Sequence, residues 1–198
     1  MPQISLKEAL HFAVQHHQAG DLAAAEDVYR QILAAQPNNP EAMQLLGLLA
    51  QQTGRSQVAA DLLSHAIALE PTDPMFYSYL GRIFHSLGRL DDSIAANLRS
   101  LHLRPNCAPT YFDLALAHHQ QGKLKEAAEF YRCALAVDPN HADACSNLGT
   151  ILQAENRLEA AIELYRKSLS IACGAAAFNN LSVALRSLGR LNEAVEAA

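Results

Sequence analysis

Gly20, Gly54, Gly88 and Gly122 stand 34 residues apart, and Pro37, Pro71, Pro105 and Pro139 repeat at the same spacing. A period of this length carried on a helical pattern makes the chain an array of one supersecondary unit, a helical solenoid in which neighbouring copies bury one another. Aligned on the glycines, the units span 6–39, 40–73, 74–107, 108–141, 142–174 and 175–198, the fifth one residue short and the sixth incomplete. The predicted fold is all-α: six antiparallel helix pairs, twelve helices with the last cut short, forming a single solenoid over 1–198. Helices of roughly 12 to 15 residues alternate with turns of about two to four.

Columns of the alignment assign a duty to each position. Positions 4, 7, 8 and 11 of the first helix share a face, as in Tyr111, Leu114, Ala115 and His118, and are expected to pack on the partner helix. Position 8 is always small (Ala13, Gly47, Gly81, Ala115, Gly149, Ser182), so that two helix backbones can approach. Position 15 is Gly20, Gly54, Gly88, Gly122 and Gly189, with Asn156 in the fifth unit, the residue types that accept a left-handed helix ending. The second helix carries a small residue at position 20 and Tyr29, Leu63, Asn97, Tyr131 or Tyr165 at position 24, a small–large pair that interdigitates with the next unit. Two irregularities stand out. Ser93, Asn97 and Ser100 leave the second helix of unit three polar, and Cys173-Gly174 replaces the closing proline of unit five, a loss expected to be absorbed in a shorter turn.

The net charge of −5, without a basic patch, argues against nucleic acid as a partner. The N-terminus lacks a basic segment followed by an apolar run, and no stretch reaches the ~18 apolar residues of a membrane span, so a cytoplasmic protein is expected. Cys107, Cys133, Cys145 and Cys173 lack metal or redox spacing and read as reduced thiols. The pairs His16-His17 and His118-His119 diverge by about 100° on a helix. His16 and His118 therefore fall on the buried face, His17 and His119 on the exposed one, which favours packing and peptide contact over a metal. No phosphate loop, nucleophile elbow or convergent acid pair is present; Asp91-Asp92 opens a helix at its positive end. The chain is expected to be no enzyme and to need no cofactor.

The strings Met43-Gln-Leu-Leu-Gly47 and Asn147-Leu-Gly149, each followed by Gly or Asn, then Ala, then Leu or Tyr, and Tyr77-Ser-Tyr-Leu-Gly81, followed by Gly88, resemble the tetratricopeptide repeat in six in-phase copies over residues 6–198. The resemblance implies a right-handed superhelix whose concave face is lined by positions 2, 6, 9 and 13 of the first helices and binds a peptide or partner segment. Candidate contact residues on that stripe are Tyr79, Arg82, Asp113, Leu116, Asn147, Thr150, Asn180 and Arg186. Position 6 reads His11, Leu45, Tyr79, Asp113, Asn147 and Asn180. Its last members, in Ser146-Asn-Leu-Gly149 and Phe178-Asn-Asn-Leu-Ser182, are similar to the asparagine ladder of O-linked N-acetylglucosamine transferase repeats, which holds substrate main chain; Leu45 and Tyr79 depart from it. Replacing Asn147 and Asn180 by alanine is expected to weaken peptide capture and to leave melting nearly unchanged.

Ala198 is position 24 of unit six, with no capping helix after it. Three roles are therefore expected: an interaction scaffold binding protein or peptide, the recognition arm of a longer transferase with an attached C-terminal domain, or an array that self-associates end to end.

Overall fold

The computed structural model describes residues 5–196, and every regular element among them is helical. Six pairs follow one another: α1 (Leu6–Gln18) with α2 (Leu22–Ala35), α3 (Pro40–Gln52) with α4 (Ser56–Leu69), α5 (Pro74–Ser86) with α6 (Leu90–Leu103), α7 (Ala108–Gln120) with α8 (Leu124–Val137), α9 (Ala142–Ala154) with α10 (Leu158–Ile171), and α11 (Ala175–Ser187) with α12 (Leu191–Glu196). Each first helix begins on the residue that opens a period. The expected all-α solenoid of antiparallel pairs is thus observed. The chain groups into two compact units, one up to Pro105 and one from Asn106 onward, each holding three pairs.

One device closes every pair. The five glycines at position 15 lie at φ between 72° and 82°, and Asn156 lies at 60°. In this conformation two backbone N–H groups turn back onto orphan helix carbonyls: Gly122 to His119 and Lys123 to His118, both at 3.0 Å, with the same pattern in the other repeats. The junction after α10 runs over three residues, Ala172 to Gly174, where the preceding repeats use four, so the missing residue is absorbed in the turn as expected.

Packing uses more of the first helix than the projected face. Besides positions 7 and 8, position 3 (Ala42, Phe76, Thr110, Ala144, Ala177) and position 10 (Leu49, Ile83, Ala117, Ile151, Ala184) are buried. These residues cluster with the second helix of the preceding repeat in the same unit: Leu46 and Leu49 with Tyr29, Leu80 and Ile83 with Ala66, Leu148 and Ile151 with Tyr131. A first helix therefore has two buried faces. Two aromatics expected inside are exposed instead. Phe12, at position 7, has no preceding described pair to cover it and is 51% exposed; Phe178, at position 4, faces a second helix described only to Glu196 and is 40% exposed. Position 24 of the sixth repeat, Ala198, lies outside the described residues.

The polar residues of α6 are not loosely held. Ser93, Asn97 and Ser100 are all fully buried. Ser100 Oγ donates to the Pro74 carbonyl at 2.8 Å, as Ser168 Oγ does to Ala142 at 2.9 Å, so this serine ties the second helix to the start of the first. Asn97 is different. Its Nδ2 reaches Ser93 Oγ at 3.4 Å, while Oδ1 is buried with no partner, as is Nε2 of His85 on the facing helix. Asn97 lies directly over Gly81, where an added Cβ would come within 2.7 Å of the amide. A desolvated, unpaired carbonyl of this kind costs about 1–3 kcal/mol.

Candidate groove on the first helices

In the second unit the outward face of α7, α9 and α11 carries the expected stripe. Asn147, Asn180, Asp113 and Leu116 are half-buried, whereas Thr150 and Arg186 are exposed. Histidines aside, the three helices hold only three charged side chains: Asp113, Asp143 and Arg186. Leu116 also packs against the core of its unit. In the first unit, Tyr79 is half-buried against the core formed by α4 and α5, and Arg82 is exposed. Arg186 does not stand free, because its Nη2 donates to Ser182 Oγ at 2.8 Å.

Beneath the stripe runs a set of polar links that the alignment columns did not reveal. Each tyrosine at position 24 is fully buried and is met by position 12 of its own repeat: Tyr29 by His17 Nδ1 at 3.5 Å, Tyr131 by His119 Nδ1 at 3.4 Å, Tyr165 by Gln153 Oε1 at 2.9 Å. His17 and His119, expected to face a ligand, are instead turned onto tyrosines. Burial raises the pKa of all three phenols, that of Tyr131 to about 12. The hydroxyls therefore stay protonated, and that of Tyr165 donates to Gln153 Oε1.

From the far side the next repeat closes the link. Asn147 hydrogen-bonds to the Tyr131 hydroxyl. Asn180 Nδ2 donates to Thr150 Oγ1 at 3.4 Å, and Tyr165 also reaches that oxygen at 3.4 Å. The two asparagines thus join adjacent repeats as well as lining the face. Sequence carried a signal for the first half of this arrangement, since His or Gln stands twelve residues before each of Tyr29, Tyr131 and Tyr165.

The other members of the two histidine pairs make contacts within their own repeats. His16 Nδ1 meets Asp21 at 3.0 Å, and His118 stacks on Phe130 with ring centroids 5.2 Å apart. Among the described residues, no group of three or more His, Cys, Asp or Glu side chains could hold a metal ion. No described helix is long and apolar enough to cross a membrane.

Family models for the tetratricopeptide repeat match residues 16–83, 108–141, 142–172 and 175–198, which together make up most of the chain. The chain belongs to the tetratricopeptide-repeat family. Residues 84–107, with the polar α6, lie between the matched segments of this tetratricopeptide array. No curated protein sequence is significantly similar to it. Among solved structures, MamA is similar at 24% identity with a TM-score of 0.74, covering 80% of this chain and 93% of that one. PilF of Pseudomonas aeruginosa superposes with a TM-score of 0.88 at 16% identity over 96% of this chain and 86% of its own. YrrB, described as a tetratricopeptide-repeat protein with an unusual peptide-binding site, gives 0.70 at 20% identity over 92% and 91%. At these identities the likeness concerns the fold.

Proposed function

We propose that this tetratricopeptide array is a non-catalytic scaffold that binds an extended peptide or partner segment along its first-helix face. The observation that carries this reading is the stripe of the second unit: Asn147, Thr150 and Asn180 present polar groups outward from two consecutive first helices while their inner bonds fix them in place. Side chains held in this way lose little rotamer freedom when a ligand arrives. The peptide-binding site named for YrrB supports the same use of this fold.

The two asparagines also favour main-chain recognition in the manner of O-linked N-acetylglucosamine transferase repeats, which would make the array the recognition arm of a longer transferase. Panning a library of extended peptides on the protein tests the scaffold reading. Selected peptides should lose binding to the Asn147→Leu, Asn180→Leu double variant and keep it with Glu163→Ala on the exposed side of α10. Binding that survives the double variant and fails with Glu163→Ala would place the ligand elsewhere.

A further inference from the structure

We infer that the first-helix face of repeats one to three takes an apolar extended peptide segment whose acidic side chain meets Arg82; this rests on the first-helix face being a peptide site. Leu45 and Tyr79, the two residues that depart from the asparagine ladder, are part of a larger apolar strip. Positions 6 and 9 of α1, α3 and α5 read His11, Val14, Leu45, Leu48, Tyr79 and Arg82. Residues three apart share a helix face. The first helices touch in succession, α1 to α3 and α3 to α5, and His17 Nε2 is bonded to Gln52 Oε1 across the first of these contacts at 2.9 Å. The six side chains therefore form two adjoining rows, and four of them are apolar.

Leu45 and Tyr79 lean on the core below them, whereas Val14 and Leu48 are half-buried outside the clusters that hold those two. Between α1 and α3 the surface dips into a cleft of about 480 Å³ lined by Leu6, Leu10 and Val14, with Lys7, His11 and Glu41 completing its wall. Apolar side chains left half wet along a depression are covered favourably by apolar groups of a ligand. Such a strip alone would leave the occupant open, and charge decides it. Lys7 and Glu41 have opposite signs and give the cleft no net charge. Arg82 is the one permanent charge in the two rows, and it is exposed with no hydrogen-bond or ion-pair partner among the described residues. A guanidinium with its donors free, one turn from Tyr79, is complementary to a carboxylate and repels a lysine.

The test uses the full chain and four N-acetylated, C-amidated peptides, with affinity read by fluorescence anisotropy. Three share a Thr-Leu-Thr-Leu-Thr core flanked at both ends by Glu, Gln or Lys, so that either chain direction brings a flank to Arg82; the fourth keeps the Glu flanks and replaces leucine by serine. The Glu-flanked peptide should bind about threefold more tightly than the Gln-flanked one, the size expected of a partly exposed ion pair, and the Lys-flanked one more weakly than both. The serine peptide should bind at least about tenfold more weakly than its leucine counterpart. Arg82→Glu should invert the order of the three flanks. Val14→Gln with Leu48→Gln should weaken every leucine peptide about tenfold with helicity retained. A serine peptide that binds as tightly as the leucine one, a flank order that Arg82→Glu leaves unchanged, or undiminished binding to the glutamine variant overturns the apolar, acidic ligand. Library peptides that depend on Asn147 and Asn180 would then still leave the scaffold standing. Failure of all four peptides to bind also overturns the inference, whereas only failure of the library panning overturns the scaffold.

Discussion

Asn147, on the outward face of α9, is hydrogen-bonded to the buried hydroxyl of Tyr131 on α8, so a residue of the candidate groove is also a fastening between the fourth and fifth repeats. This changes what an alanine scan of the groove should read. Asn147→Ala leaves the Tyr131 phenol with one partner and is expected to lower stability by about 1 kcal/mol, in place of the unchanged melting expected from the exposed column alone. Asn180→Ala removes a 3.4 Å bond to an exposed threonine and should cost less. Urea titration of the two single variants separates them. An Asn147→Ala variant as stable as the parent would mean that the link to Tyr131 contributes nothing.

Asn97 predicts the opposite sign. The second repeat places Leu63 over Gly47 where the third places Asn97 over Gly81, and both side chains are fully buried. Asn97→Leu therefore exchanges an unpaired amide for a side chain that the same frame accommodates one repeat earlier, and should stabilise the protein by about 1–2 kcal/mol. Asn97→Ala, which removes the amide and leaves a void, should gain less or lose. The urea midpoints of both variants decide the matter.

Position 8 offers a contrast between two glycines. A Cβ on Gly149 would come within 2.7 Å of Tyr165 Cε1, whereas one on Gly47 would have nothing nearer than 3.5 Å. Gly149→Ala should destabilise by about 1 kcal/mol through overpacking, and repeat four, which holds Tyr131 against Ala115, marks this as the modest end of the range. Gly47→Ala should be neutral or stabilising by up to about 1 kcal/mol, because a helix interior favours alanine. Thermal melts of the pair should differ in sign.

Glu26 bonds Arg55 through both carboxylate oxygens, at 2.8 and 2.7 Å, and Arg30 through one. The Arg55 hydrogen bond is the largest reason its pKa falls from 4.5 to about 2. A carboxylate with a depressed folded-state pKa adds stability that is complete above about pH 4.5 and is lost as the pH falls toward 2. Glu26→Gln should flatten that part of the stability profile and cost about 1 kcal/mol at neutral pH, less at high salt.

His85 and His118 act in a higher window. Burial lowers both from 6.5, so the unfolded chain takes up their protons first. Stability should be fully present above about pH 6.5 and fall as the pH drops through their lowered values. His118→Phe, which keeps a ring beside Phe130, should remove part of that slope, measured as urea midpoints from pH 7.5 to 5.

Much of the fold was legible because one constraint is stated repeatedly. A single glycine before a charged residue is a weak turn signal, but Gly20, Gly54, Gly88, Gly122, Asn156 and Gly189 in register located every turn inside a pair. What escaped was the second buried face at positions 3 and 10 and the inward turn of His17 and His119. A projection at 100° per residue treats a helix as having one neighbour, while these first helices pack on their own partner and on the preceding repeat. The Asn147 link escaped for a related reason: it joins side chains of different repeats, so it depends on how adjacent pairs are set together, which the period alone does not specify.

The unpaired amide in α6 has a kinetic side. Helical arrays ordinarily fray from their terminal repeats, where one neighbour is missing. Here α6 has its own reason to open, since opening lets Asn97 and His85 recover water that the closed pair denies them. Its backbone hydrogens should therefore exchange with solvent sooner than those of α4, whose corresponding core position is Leu63. Breathing of this molecule would then start at the third pair and spread outward.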